Sequence, residues 1–374
     1  KFRVRKFMKL FKSLLVAPAT LGLLAPISAT ANEITINDFN PEIENTLLAG
    51  GEGLVDDHSH DGGFSETTTA SFSADFAVGG VDGVAAEDAV NALYGFQIDL
   101  TTSFTGEDSL DISIDAGNGG NGLSEIDLNE TTADDKLAVD GISYTFPLGD
   151  KMTIMVGNDV DGSSLYSTAC VYGGPTNTLD DCGNANSAMA AAEATALSAS
   201  FDIGNGFGAA FGYEGEGDNT DGLMTKEGND TFGGQLSYAA DQYAASLTYA
   251  MYDTPTTDTT YWGLNGYWTP SETGTAVPSI SVGYEIGNPN NTTVDTTHYF
   301  VGLQWDEAGP GTFGVALGTK EHTADNADEY LMYEAFYSYP INDGMTITPV
   351  IFVKETAAGS DDETGLAVKT SFSF

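Results

Sequence analysis

The segment that decides the fold reads YGFQIDLTTSF and covers residues 94–104. Its apolar residues occupy every second position: Tyr94, Phe96, Ile98 and Leu100 alternate with Gly95, Gln97, Asp99 and Thr101. Successive side chains of an extended strand point to opposite faces, so a period of two predicts a strand with one apolar and one polar face.

The same pattern recurs along most of the chain. Sixteen segments between residues 70 and 374 show it. Most of them are close to the ~9 to 11 residues that a tilted strand needs to cross a bilayer. In the first half, brief turns alternate with much longer loops. This pattern predicts an all-β fold, a transmembrane antiparallel β-barrel of about 16 strands with long outer loops and short periplasmic turns.

The alternation also predicts which connections share a side of the membrane. The loops that hold Asp218, Asp258, Asn291, Asp325 and Asp361 are expected outside, and the turns at Pro147, Asn205 and Asp241 are expected in the periplasm.

Residues 1–31 have the three parts of a secretory signal peptide. A basic stretch precedes an apolar stretch, and Ala29-Thr30-Ala31 forms a small-x-small cleavage site. We expect Met8 to be the true start, residues 32–69 to form a periplasmic N-terminal segment, and residues 70–374 to form the barrel in the outer membrane. The alternative for the leader is an N-terminal membrane anchor, although Pro18 and Pro26 bracket an apolar core that is short for a span.

The charge balance narrows the function classes. The formal net charge is −43, and beyond residue 31 the chain has six lysines and no arginine. Nucleic-acid binding needs clustered Lys or Arg against phosphates, so no nucleic-acid partner is expected. Because hydrolase, zinc-protease and phosphate-loop motifs are also missing, we do not expect an enzyme.

A soluble β-sandwich can show the same alternation, with its apolar face buried in a core. That alternative is a secreted, acidic, Ca-binding β-rich structural or adhesin protein, and a secreted β-rich hydrolase is a further one. Aromatic residues favour the barrel, because Trp262, Trp268 and Trp305 lie at segment ends, as interfacial girdles do.

The chain ends in a strand that closes on Phe374, with Phe372 two residues earlier. These two residues resemble the C-terminal sorting signal of outer-membrane barrels. The small residue usual five positions before the end is replaced by Lys369.

Two stretches point to a narrower family. The sequences GGFSETTT (residues 62–69) and DLTTSFTGED (residues 99–108) resemble the start of the barrel in cyanobacterial outer-membrane porins, which belong to the carbohydrate-selective porin group. The resemblance implies passive diffusion of small ions, sugars or other hydrophilic solutes, contact with outer-membrane lipid, and a homotrimer. That family usually has an S-layer homology domain before the barrel, and residues 32–61 are too short for one, so the chain resembles a form that lacks this domain.

Porins of this general architecture often fold the third outer loop into the pore, and by position that loop is residues 159–194. Parity and loop position together give these candidate pore-lining residues: Asp99, Asp111, Asp115, Lys151, Asp159, Asp161, Asp180, Asp181, Glu214, Glu285 and Glu334. Carboxylates around a pore favour cations, so the sequence predicts a cation-preferring channel. The simpler interpretation of any one carboxylate is that it keeps a surface hydrated.

The third loop also contains both cysteines, Cys170 and Cys182. In an exported protein two such residues are expected to form a disulfide, with a metal-binding or catalytic thiol pair as the alternative.

One short stretch has metal-ligand residue types: Asp57, His58, His60 and Asp61 could bind a divalent ion, or could simply form a solvated acidic loop. Acidic loops such as 214–230 are predicted to bind Ca²⁺ or Mg²⁺ weakly, and no other cofactor is expected.

Overall fold

A computed structural model of the chain describes residues 68–83, 89–119, 123–128, 135–182, 194–217, 222–356 and 361–374. These residues belong to the compact unit Thr67–Phe374. The predicted signal peptide, nearly all of the predicted periplasmic segment and the metal-ligand stretch at Asp57 lie outside the described residues.

The described residues form almost only strands. The strands are β1 (Thr68–Asp82), β2 (Asn91–Thr102), β3 (Ser109–Gly117), β4 (Ala138–Pro147), β5 (Met152–Val160), β6 (Ala194–Gly204), β7 (Phe207–Gly215), β8 (Asp230–Ala240), β9 (Tyr243–Asp253), β10 (Asp258–Trp268), β11 (Ser279–Pro289), β12 (Thr296–Ala308), β13 (Gly311–Thr319), β14 (Thr323–Ala324), β15 (Leu331–Asn342), β16 (Met345–Lys354) and β17 (Glu363–Ser373). Within the described part of the chain, no helix is long and apolar enough to cross a membrane.

The strands close into a ring. Each long strand pairs antiparallel with the next, and β17 pairs back onto β1 from Ser73↔Ser373 to Asp82↔Thr364. The two-residue β14 pairs only with Thr296 and Thr297 at the start of β12, while β13 pairs directly with β15. The barrel therefore has sixteen strands, as the alternating pattern predicted.

The pairing keeps the predicted faces together around the ring. Opposite residues of paired strands share a face, so Asp99, which faces Ser113, is on the same side of the sheet as Ser113. The other side bears large apolar residues that are more than a third exposed, one or more on nearly every strand: Phe76, Ile142, Val156, Leu197, Phe211, Leu236, Leu247, Leu264, Val282, Val301, Leu317 and Ile351. An apolar belt of this extent on the outside of a closed barrel suits a lipid environment.

The seam between β1 and β17 places the two terminal phenylalanines on this apolar side. The ring of Phe374 stacks on Phe72 at 5.8 Å, and Phe372 meets Phe76 edge-on at 6.1 Å. Backbone hydrogen bonds of 3.0 Å join Phe72 and Phe374 in both directions. The last residues of the chain thus complete the ring, whatever their part in sorting.

Connections alternate between the two rims of the barrel. The connections on one rim, called the long-loop rim, follow β1, β3, β5, β7, β9, β11, β13 and β16, and those on the other, called the short-turn rim, follow β2, β4, β6, β8, β10, β12 and β15. Loops expected on one side of the membrane do share a rim. The length contrast fails where 254–257 on the long-loop rim is shorter than 269–278 on the short-turn rim, and 103–108 is as long as 290–295. Length alone therefore does not identify a rim.

The short-turn rim includes a turn organised by one carboxylate. Asp108 Oδ1 accepts hydrogen bonds from the Ser103 hydroxyl and from the amides of Phe104 and Thr105, at 2.7–2.9 Å. Its Oδ2 accepts from the Tyr144 hydroxyl at 2.6 Å. The Tyr144 hydrogen bond, with further help from the Thr105 and Ser103 bonds, holds the pKa of Asp108 well below its ordinary value.

We predict that Asp108→Ala speeds hydrogen exchange at the Phe104 and Thr105 amides, because both lose their acceptor. Glu107→Ala, an exposed neighbour, is the control and should leave these amides protected. Since the folded pKa is lowered, the contribution of Asp108 is complete above the ordinary Asp pKa and is lost only as the pH falls through the folded value. Equal exchange rates in the two variants would contradict this role for Asp108.

Candidate functional site

The connection between β5 and β6, which is the third on the long-loop rim, enters the barrel and follows its inner wall. Its described part, residues 161–182, is called the third-loop strap below. The strap meets inward-facing side chains of successive strands, as follows: Gly162 N donates to Glu214 Oε2 (2.9 Å), Ser167 N to Gln235 Oε1 (2.7 Å), Val171 N to Ser281 Oγ (3.1 Å) and Gly173 N to Gln304 Oε1 (3.1 Å), while Asn265 Nδ2 donates to Thr168 O (2.9 Å). The strap therefore runs along the inside of the barrel from β7 to β12.

The strap is held in this way because its backbone lies outside the sheet. Each peptide group away from water still needs a partner, and a loop offers few of its own. Polar side chains at inward strand positions supply those partners, such as Gln235, which also donates to Ser167 O at 3.0 Å. The polar inner face thus has a structural role besides any contact with solutes.

Tyr172 extends the contacts of the strap two strands further, to β15. Its hydroxyl donates to Glu334 Oε1 at 2.7 Å, and its ring packs against Phe300 and Phe336. Burial, followed by the charge of Glu334, raises the pKa of Tyr172 well above its ordinary value, so the hydroxyl keeps its proton and remains a donor.

A disulfide joins Cys170 to Cys182, whose Cα atoms are 5.8 Å apart. It closes the part of the strap that contains Tyr172 and Leu179. Cys182 is fully buried and lies against β11, where a Cβ added at Gly283 would be only 2.5 Å from the Cys182 carbonyl oxygen. A glycine at this inward position lets the strap approach the wall.

The connection between β3 and β4, which is the second on the long-loop rim, also contributes a segment inside the barrel. Residues 123–128, called the second-loop segment below, pair with the strap through an isolated bridge between Ile126 and Thr176. Asn177 N donates to Glu125 O at 3.0 Å, and Asp127 N donates to Pro175 O at 3.1 Å. The two connections therefore form one small two-stranded unit inside the barrel.

An apolar core lies between this unit and the wall. Residues of the two connections and inward residues of the wall are buried together: Leu123, Ile126, Leu128, Tyr172, Leu179, Ala77, Val81, Leu93, Phe300, Ala316, Met332, Phe336, Val350, Phe352 and Ala367. Sequence parity does not reveal this core. A signal for it exists, because β15 and β16 have apolar residues on the inner face as well as on the outer one. One side of the lumen is thus filled.

Two of the predicted pore-lining carboxylates lie on the wall formed by β2 and β3. Asp99 and Asp111 are both partly exposed on the inner face. Asp99 accepts hydrogen bonds from Gln97 (2.9 Å) and Ser113 (2.8 Å). Asp111 accepts from the hydroxyls of Thr101 and Ser109. On the same face Asp115, four residues after Asp111 on β3, is buried with 1% exposure.

Three other predicted carboxylates are on the inner face but are buried. Glu214, Glu285 and Glu334 have exposed fractions of 0%, 1% and 4%. Glu214 and Glu334 lie beneath the strap, as described above, and Glu285 Oε1 is 2.8 Å from His322 Nε2 of the loop 320–330. They bind loops to the wall, a role that parity cannot distinguish from pore lining.

The predicted loop residues are placed differently from one another. Asp159 is an exposed residue of β5, because that strand continues to Val160 after a register shift, so the connection covers residues 161–193. Asp161 begins the strap, and Asp180 lies in a short 3-10 turn, Asp180–Cys182, which packs against β11 and β12. Asp181 belongs to the same turn, and its side chain is outside the described residues. Lys151 is exposed on the short-turn rim.

The predicted acidic metal loop is replaced in part by strand structure. Glu214 belongs to β7, and Asp230 is the first residue of β8. Asp230 Oδ1 accepts a hydrogen bond from the Tyr213 hydroxyl. Across the residues that the structure describes, no three His, Cys, Asp or Glu side chains are grouped so that they could hold a metal ion.

The lysines of the strands are paired. Strands β1 to β17 contain two lysines, Lys354 and Lys369, and no arginine. Lys354 Nζ pairs with Glu125, and Lys369 Nζ is 3.2 Å from Asp75 and 3.7 Å from Asp127. The sequence alone does not reveal these pairs, because Asp75, Glu125 and Asp127 are far from their lysines in the chain.

We predict that Gly283→Ala destabilises the barrel, because the added methyl group would force the strap from the wall at a cost of about 1 to 3 kcal/mol. Gly234→Ala, on the outer face of β8, is the control for the loss of a strand glycine, since the nearest atom to its new Cβ is 3.8 Å away. Unboiled barrels migrate faster than unfolded chains on gels, so the temperature of this mobility change measures stability. Equal temperatures for both variants would mean that the strap does not press on Gly283.

Comparison with solved structures identifies the fold. The chain is similar to OprB of Pseudomonas putida (TM-score 0.61, 12% identity, 82% of this chain and 94% of that one). It is also similar to an anion-selective porin from Comamonas acidovorans (TM-score 0.57, 15% identity, 82% and 99% covered) and to a variant of the Rh. blastica porin (TM-score 0.52, 13% identity, 82% and 100% covered). No family model and no curated protein matches the sequence. The chain has the sixteen-stranded barrel fold of bacterial outer-membrane porins.

Proposed function

We propose that this protein is an outer-membrane porin through which small hydrophilic solutes and ions diffuse passively, with a preference for cations. The observation that carries the proposal is the closed barrel with an apolar outer belt, whose lumen is narrowed by the third-loop strap. The secreted structural alternative would need its apolar face buried in a core, and here that face is exposed on strand after strand.

The preference for cations follows from the charges on the inner wall. In the contacts described above, the donors to Asp99 and Asp111 are all neutral, namely one amide and three hydroxyl groups. Both strand lysines, in contrast, are paired with carboxylates. Carboxylates without a cationic counterpart lower the potential of a pore, so they favour cations and discourage anions.

The finer parts of the proposal concern solute, assembly and origin. Sugars are among the proposed solutes, and a homotrimer in outer-membrane lipid is the proposed assembly, both by the resemblance to cyanobacterial porins that lack the S-layer homology domain. The apolar belt supports contact with lipid. A pore that selects anions needs positive charge, and the chain beyond residue 31 has no arginine. We therefore propose the opposite selectivity to that of the anion-selective porin from Comamonas acidovorans, although the fold is similar.

The first test is the reversal potential of the reconstituted channel in a KCl gradient. We expect a sign that marks K⁺ as more permeant than Cl⁻ at 0.1 M salt. The preference should weaken at 1 M, because the Debye length falls from about 10 Å to about 3 Å. A channel that prefers anions at low salt would refute the proposed selectivity, and a protein that forms no channel would refute the porin function.

The second test locates the preference. Asp99→Asn with Asp111→Asn should lower the ratio of K⁺ to Cl⁻ permeability by about twofold or more, because two unit charges leave the inner wall. Asp241→Asn, an exposed position on the short-turn rim, is the control for a loss of charge outside the lumen and should change the ratio less. A larger effect at Asp241 would show that the mouth, and not the β2–β3 wall, sets the selectivity.

A further inference from the structure

Two lysines on the inner wall contribute little free charge to the lumen. Lys354 and Lys369 have side chains only 17% and 11% exposed, and each ammonium lies against carboxylates. Lys369 has Asp75 on the neighbouring strand β1 and Asp127 on the second-loop segment, while the carboxylate against Lys354 belongs to Glu125. Of these three acidic partners, two therefore come from the second-loop segment.

The second-loop segment is built to deliver these two groups. Glu125 and Asp127 alternate with Ile126, which is 3% exposed and packs into the apolar core. The side chains of the segment therefore divide, with Ile126 in the apolar core and the two carboxylates against Lys354 and Lys369. Glu125 also accepts a hydrogen bond from Thr178 N at 2.9 Å through Oε1, so the strap fixes its orientation toward Lys354.

We propose that the second-loop segment preserves the cation preference that Asp99 and Asp111 give the pore, because Glu125 and Asp127 mask the two lysines of the barrel strands. This inference rests on the proposed porin function and adds a residue set that the third-loop strap does not contain. Without the segment, Lys354 would lose its carboxylate and Lys369 would keep only Asp75, so positive charge on the inner wall would oppose the field of Asp99 and Asp111. A unit charge within about 8 Å of an ion in water changes its local concentration by about twofold.

The test uses charge-matched pairs of variants in planar bilayers with a KCl gradient. Glu125→Gln should lower the ratio of K⁺ to Cl⁻ permeability by about twofold, because the charge of Lys354 loses its partner. Glu125→Gln combined with Lys354→Gln removes both charges and should return the ratio to that of the wild-type channel. If Glu125 acts only by holding the strap, the double variant keeps the altered ratio of the single variant, and this result would overturn the masking role.

A second pair keeps the test decisive where Glu125→Gln forms no channels. Asp127→Asn should lower the ratio, by less than Glu125→Gln because Asp75 still pairs with Lys369, and Asp127→Asn with Lys369→Gln should restore it. No change in either single variant would overturn the proposal. A wild-type channel without cation preference would instead refute the proposed selectivity, and the difference within each pair would still measure the masking.

Discussion

Closure of the backbone hydrogen-bond ring is the constraint on which the rest of this structure depends. In hydrocarbon no water can satisfy an exposed N–H or C=O group, so a sheet can cross a membrane only without edges. Pairing of β17 with β1 removes both edges. Once the ring is closed, the two-residue period gives every strand one side toward the inside and one toward the outside, and the apolar belt and polar wall follow from that.

The inner wall of the barrel has three regions that differ in what their side chains contact. Along β7 to β12, amide, hydroxyl and carboxylate side chains bind the backbone of the third-loop strap. Toward β12 to β17 and β1, many inward residues are apolar and pack with the strap and the second-loop segment. The wall at β2 and β3 keeps partly exposed carboxylates. The fold therefore places the narrowing element on one side of the lumen and leaves acidic charge on another.

The faces and the strand count could be predicted from the sequence because alternation is a local property. The parity of Asp99, Asp111 and Ser113 needs only neighbouring residues, and the structure places all three on one face. The path of the strap could not be predicted, because it depends on contacts between residues far apart in the chain, such as Tyr172 with Glu334 or Lys354 with Glu125. For the same reason, the burial of Glu214 could not be predicted from its neighbours in the sequence. Phe300 is an apolar residue on the inner face, where the alternation predicts a polar one.

Solvent access to the wall at β2 and β3 tests the central claim most directly. Ser113→Cys would place a thiol on the inner face beside Asp99, and Ile112→Cys would place one on the apolar face of the same strand. In the reconstituted protein, the rates of reaction with a positively and a negatively charged thiol reagent can be measured for both variants. We expect Ser113→Cys to react, faster with the positive reagent, and Ile112→Cys to stay unmodified. A faster reaction at Ile112→Cys, or a faster reaction of Ser113→Cys with the negative reagent, would contradict a water-filled, acidic pore along this wall.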